Sequence, residues 1–118
     1  MPVVVGFLSD VELSEHFDDH RLEVGAATKE IYFEMAKALL ETDPAKNLDV
    51  LGCIRCNGDI IRFNRITNEF AIMTASGIIR TYFKPQPRIT APAGTPRRKT
   101  HSYPSNTDYF WNECGRRM

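Results

Sequence analysis

From Val50 to Lys84 the apolar and polar residues alternate with a period of two, the spacing of a strand whose two faces differ. Three turn signals cut the run, at Asn57-Gly58, Thr67-Asn68 and Ser76-Gly77. The pattern predicts a four-stranded antiparallel meander, with Pro85 ending the last strand because proline has no backbone donor. Asn57-Gly58 reads as a two-residue hairpin loop, since both central positions of a type I′ turn need positive φ.

That loop pairs Cys56 with Asp59 and Ile54 with Ile61. One face then carries Ile54, Ile61 and Phe63, and the other Arg55, Arg62 and Asn64. In the last strand Ile79, Thr81 and Phe83 share a face, opposite Arg80, Tyr82 and Lys84. The expectation is one apolar face in the core and one open face that collects Arg55, Arg62, Arg80 and Lys84, with Tyr82 and Asn64 among them. A solvated sheet face and a site for an anionic ligand both fit. Alternation by itself favours the solvated face.

Two helices precede the sheet. Ser9-x-x-Glu12 is a capping box, which predicts a helix from about Asp10 to Leu22. Gly25 breaks it, and Thr28 caps a second helix that runs to about Glu41. Tyr32, Met35, Ala36, Leu39 and Leu40 give that helix an apolar stripe to cover the sheet. His16 and His20 stand four apart on the first helix and share a face. No third metal ligand lies near them, and Phe17 stands where a His-Glu-x-x-His motif has its glutamate, so a metal site is not expected. They are either helix-surface residues among acids or a general acid or base.

The 21 residues from 84 to 104 are rich in proline, glycine and cations and have no period, so they read as a loop. Its Arg97-Arg98-Lys99 run is either a solvated charge cluster or a contact to a nucleic-acid backbone. Ser105-x-x-Asp108 caps a short last helix, whose Tyr109, Phe110 and Trp111 dock the tail. A single α+β domain over residues 1–118 results: helical over 1–48, sheet over 49–85, loop and helix over 86–118. The net charge of zero hides an asymmetry. Residues 1–60 hold 12 Asp/Glu and 5 Lys/Arg (−7), and residues 61–118 hold 3 and 10 (+7). Cys53, Cys56 and Cys114 read as buried free thiols, because Cys53 and Cys56 fall on opposite faces of one strand. Such thiols suit a reducing compartment. No apolar run approaches membrane-spanning length, and the MPVVVGFL start lacks the basic region of a signal peptide, so a cytoplasmic location is expected.

The order of these features resembles the ribonuclease domains at the C-termini of bacterial polymorphic and contact-dependent toxins, of the barnase, EndoU, colicin and RelE-like (BECR) fold. The likeness rests on Glu15-His16-Phe17 to His20, on Tyr32 and Ala36, on Asn57-Gly58 and on Arg62-Phe63-Asn64. It continues through Thr67-Asn68-Glu69-Phe70, Gly77-Ile-Ile-Arg-Thr-Tyr-Phe-Lys-Pro85 and Tyr103-Pro104 to Asp108-Tyr109-Phe110. It spans nearly the whole chain, and the run ending at Pro85 is its most specific part. Those domains follow a long N-terminal delivery region, and the Met at position 1 leads to the expectation that this one does not, so that secretion in this form is not expected.

The resemblance implies an endoribonuclease that needs no metal or other cofactor and cuts tRNA or another cellular RNA by attack of the 2′-OH on its neighbouring phosphate. It implies His16 or His20 as base or acid, and Arg80, Thr81 and Lys84 as the remaining catalytic positions. Arg62, Asn64 and Tyr82 would then bind substrate. A cognate immunity protein is the partner it implies besides RNA, and the route it implies into a target-cell cytoplasm is delivery as part of a larger toxin. Two other readings stand beside it: a catalytically silent RNA- or protein-binding module, and a structural domain whose cationic face meets an acidic partner.

Overall fold

A computed structural model describes residues 3–115. The chain is α+β, with three α-helices and a five-stranded mixed sheet. Helix α1 spans Asp10–Val24, α2 Lys29–Leu40 and α3 Asn106–Gly115. The sheet order is β1 (Gly6–Phe7), β5 (Ile78–Phe83), β4 (Phe70–Met73), β3 (Ile60–Asn64) and β2 (Val50–Ile54). The expected antiparallel meander is β2 to β5. The alternation did not reveal β1, a two-residue edge strand parallel to β5. Two further residues, Gln86–Pro87 (β6), pair in parallel with Thr100–His101 (β7) inside the segment read as loop.

The helix boundaries follow local chemistry. The Ser9 and Thr28 hydroxyls accept from the backbone N–H of Glu12 and Ile31, each satisfying a donor that the first helical turn leaves unpaired. Gly25 closes α1 at φ 77, a left-handed conformation that glycine adopts without cost. Ser105 caps α3 through the N–H of Asp108, whose carboxylate accepts from the Ser105 hydroxyl.

The first hairpin corrects the expected register. Arg55 donates to the Asp59 carbonyl and Gly58 to the Arg55 carbonyl, so the loop is the three residues Cys56-Asn57-Gly58. Gly58, at φ 92, takes the left-handed position that such loops require. Ile54 therefore pairs with Ile60 and Cys53 with Ile61. A shift of one residue exchanges faces, which is why Ile54 is exposed.

Both faces of the sheet are covered, contrary to the expected open face. On one side α1 and α2 pack Phe17, Tyr32, Ala36, Leu39 and Leu40 against Val50, Ala71, Met73, Ile79 and Tyr82. On the other, Phe110 of α3 packs with Ile61, Phe63, Phe70, Ile72 and Phe83. A disulfide between Cys53 and Cys114 ties α3 to β2, which corrects the reading of these two as free thiols; Cys56 is free, as expected, but exposed in the hairpin loop and not buried. Such a bond persists in an oxidising compartment, so the cysteines no longer argue for a reducing one. No helix among the described residues is long and apolar enough to cross a membrane.

Candidate functional site

Helix α1 crosses beside β5 where that strand's edge is free of β1. β1 pairs only with Ile78 and Ile79, and the His20 ring lies against Phe83, with centroids 5.4 Å apart. The rings of His16 and His20 are 6.0 Å apart and line one pocket of about 180 Å³ with Glu15 and Asp19. The i, i+4 spacing thus places both imidazoles at a common site.

His20 is 7% exposed and is held from two sides. Glu23, one helical turn on, has a carboxylate oxygen 3.1 Å from its Nδ1. An ionised carboxylate only accepts, so Nδ1 carries the proton and Nε2 faces Asp19 Oδ2 at 3.4 Å. Glu23 also accepts from the backbone N–H of Lys84 at 2.9 Å and pairs with Nζ of Lys99 at 2.8 Å. Burial pushes the Glu23 carboxyl up, but these hydrogen bonds outweigh it and hold it below the usual carboxylate range. Arg98, in a bidentate pair with Asp19, holds that carboxyl low as well, and Lys99 also donates to the Asp19 carbonyl.

His16 is placed differently. Its ring packs against Phe7 at 5.3 Å, and its Nε2 is 3.7 Å from Glu12. Burial, and then the neighbouring His20, lower its pKa below the ordinary 6.5, so the neutral ring dominates at neutral pH. Glu12 and Arg80 both line a second cleft of about 340 Å³ with Leu8, Thr74, Ser76, Ile78 and Ile79.

The predicted site residues separate into two groups. His20 and the Lys84 backbone meet at Glu23, and His16 lies against the His20 ring. Arg80 lies in the separate cleft that Glu12 also lines, where a register shift in the β4–β5 pairing turns it toward the buried Asp59 at 3.0 Å. Thr81 is half-buried opposite Ile72, on the face under α3; the alternation put it on one face with Ile79, but the register shift leaves Ile79 in the core under α1 and α2 instead. The other expected contacts are structural, which corrects the picture of a cationic sheet face. Arg55 is buried between Asp59 and Glu113. Arg62 is buried and donates to the carbonyls of Thr42 and Ile61. The Asn64 carboxamide accepts from the N–H groups of Ile66 and Thr67 and shapes their turn. Tyr82 is wholly buried, with its hydroxyl on Glu69 and its carbonyl taking the Tyr32 hydroxyl, so it has no face for a base to stack on.

Two residues at the site, Asp19 and Glu23, went unread in the sequence, and two more, Arg98 and Lys99, were read only as part of a charge run in the loop. Asp19 and Glu23 could have been found, because they flank His20 by one and three positions on a helix. The placement of Arg98 and Lys99 could not, because a tertiary contact across about 80 residues brings them to α1. Among the described residues no group of three or more His, Cys, Asp or Glu side chains is arranged to hold a metal ion.

The chain matches no protein-family model, and no curated protein is similar to it in sequence.

Proposed function

We propose that this protein is a metal-independent endoribonuclease of bacterial toxin type, acting on tRNA or another cellular RNA. One observation carries the reading: two histidines with rings 6.0 Å apart line one pocket, one kept neutral by burial and the other anchored through Nδ1 by Glu23. Cleavage by the 2′-OH needs two such groups, a base for the hydroxyl and an acid for the leaving oxygen.

In this mechanism neutral His16 takes the 2′-OH proton as the 2′-oxygen bonds to phosphorus. The bond from phosphorus to the 5′-oxygen breaks, and His20 gives a proton from Nε2 to that oxygen. The products are a 2′,3′-cyclic phosphate and a free 5′-OH. Lys84 and Arg80 supply positive charge to the phosphoryl oxygens, and Thr81 supports them from the strand. Arg98 and Lys99 offset Asp19 and Glu23, two of the acids around the histidines, which favours the approach of an anionic substrate from that side. An immunity protein that covers this pocket would be its partner.

The alternative is a binding module on the same scaffold without catalysis. In its favour, Arg55 and Arg62 are buried on intramolecular partners and Arg80 has its Nε on Asp59. Incubating purified protein with total RNA in EDTA separates the two. Fragments with cyclic phosphate ends, absent with His20→Ala, support the enzyme. Intact RNA at all protein concentrations leaves the binding module.

A further inference from the structure

The Arg97-Arg98-Lys99 run does not act as one patch. Arg98 and Lys99 turn to α1, where Asp19 and Glu23 neutralise them. Arg97 turns elsewhere. With Arg88 it lines a pocket of about 240 Å³ completed by Ala91, Pro92, Thr95 and Thr100. No carboxylate lines this pocket, and neither arginine makes an ion pair among the described residues. Both side chains are exposed.

Arg88, whose Nε donates to the Thr100 hydroxyl, and Arg97 bring two positive charges to one acid-free pocket, an arrangement that favours an anion there. Their planar donor forks match the oxygens of a phosphate. Position adds to this. The 3₁₀ turn at Arg97–Lys99 is clamped to α1 through Arg98 and Lys99, next to His20. The Arg88 N–H donates to the His101 carbonyl, which extends the β6–β7 pairing and fixes the other wall. The pocket is therefore held in place relative to the histidine pair.

We infer that Arg88 and Arg97 form a phosphate subsite that holds the backbone of single-stranded RNA at a nucleotide away from the cleaved bond. This rests on the ribonuclease reading for its substrate, but not for its measurement. The probe is a fluorescent 2′-O-methyl RNA oligonucleotide, which binds like RNA and cannot be cut by 2′-OH attack. Its affinity is measured by anisotropy across a salt series for the parent, Arg88→Ala, Arg97→Ala, the double variant and Lys46→Ala as a control.

Each arginine variant should weaken binding about tenfold, as expected for a hydrogen bond to a charged group. The slope of log K against log salt should fall by about 0.7 for each phosphate that the variant no longer neutralises. Lys46→Ala should match the parent. An unchanged affinity and slope in the double variant would overturn the subsite, as would an absence of RNA binding by the parent. Vesicles containing phosphatidylglycerol form a second arm. Equally tight vesicle binding that disappears with the same two arginines would assign the pocket to lipid phosphate and overturn the RNA assignment. Failure of the ribonuclease reading looks different: the probe binds and depends on both arginines, yet unmodified RNA stays intact.

Discussion

A carboxylate oxygen of Glu23 lies 3.1 Å from Nδ1 of His20, one helical turn away on α1. This hydrogen bond sets which ring nitrogen carries the proton and leaves Nε2 for chemistry. Replacing Glu23 by Gln exchanges an acceptor-only group for an amide that can also donate. The Glu23→Gln variant should lower the cleavage rate and alter its pH profile while the protein remains folded. His20→Ala should lower the rate by roughly two to four orders of magnitude, as for loss of a general acid or base. Rates on a defined RNA, with melting curves beside them, check both; parental rates in both variants would place the chemistry elsewhere.

The same carboxylate gives a pH signature to stability. The folded Glu23 pKa lies below its ordinary 4.5, so its contribution is complete above about that pH and is lost as pH falls through the folded value. His16 acts in the same direction at higher pH. Its folded pKa is depressed from 6.5, so the unfolded chain takes up the proton first and stability falls as pH drops below 6.5 toward the folded value. In denaturant titrations from pH 7 to 3, His16→Asn should flatten the upper part of the decline and Glu23→Gln the lower part. Curves parallel to the parent throughout would show that neither group is coupled to folding.

Reduction should loosen the C-terminal helix. The disulfide links residues 61 apart in sequence, and closing a loop of that size is worth about 4 kcal/mol in the chain-entropy account. The Cys53→Ser, Cys114→Ser double variant should melt well below the parent and match the parent in reductant. Cys56→Ser should melt with the parent, because that thiol is free and exposed. Equal melting temperatures with and without reductant would count against the bond.

Gly77 fixes the edge strand. It sits at φ 93, and a Cβ there would lie 2.4 Å from the backbone oxygen of Val3, while its own carbonyl takes the N–H of Val5. Gly77→Ala should therefore cost on the order of 1–3 kcal/mol or more and release β1 from β5. Hydrogen exchange at Val5 would report the release, and native protection there in the variant would contradict it.

The local chemistry of the chain determined much of this. Ser9, Thr28 and Ser105 set the helix starts, because a side-chain oxygen near three unpaired N–H groups acts within four residues. The period of two gave the meander, and the i, i+4 pair put both histidines on one face. The register of the first hairpin was not determined, since Asn57-Gly58 suits a two- or a three-residue loop and only the packing of Ile61 beside Cys53 separates them. Nor was the cover on the second face. An alternating strand states which residues are apolar, whereas Phe110 reaches Phe63 across nearly fifty residues. The fate of the cations was likewise tertiary. Arg55, Arg62, Arg88 and Arg97 are alike as letters. Burial gave the first two internal partners, and the clamp of Lys99 on Glu23 left the last two facing a pocket without acids. Charge in a sequence carries a sign but no neighbour, and the neighbour decides whether it holds the fold or meets a ligand.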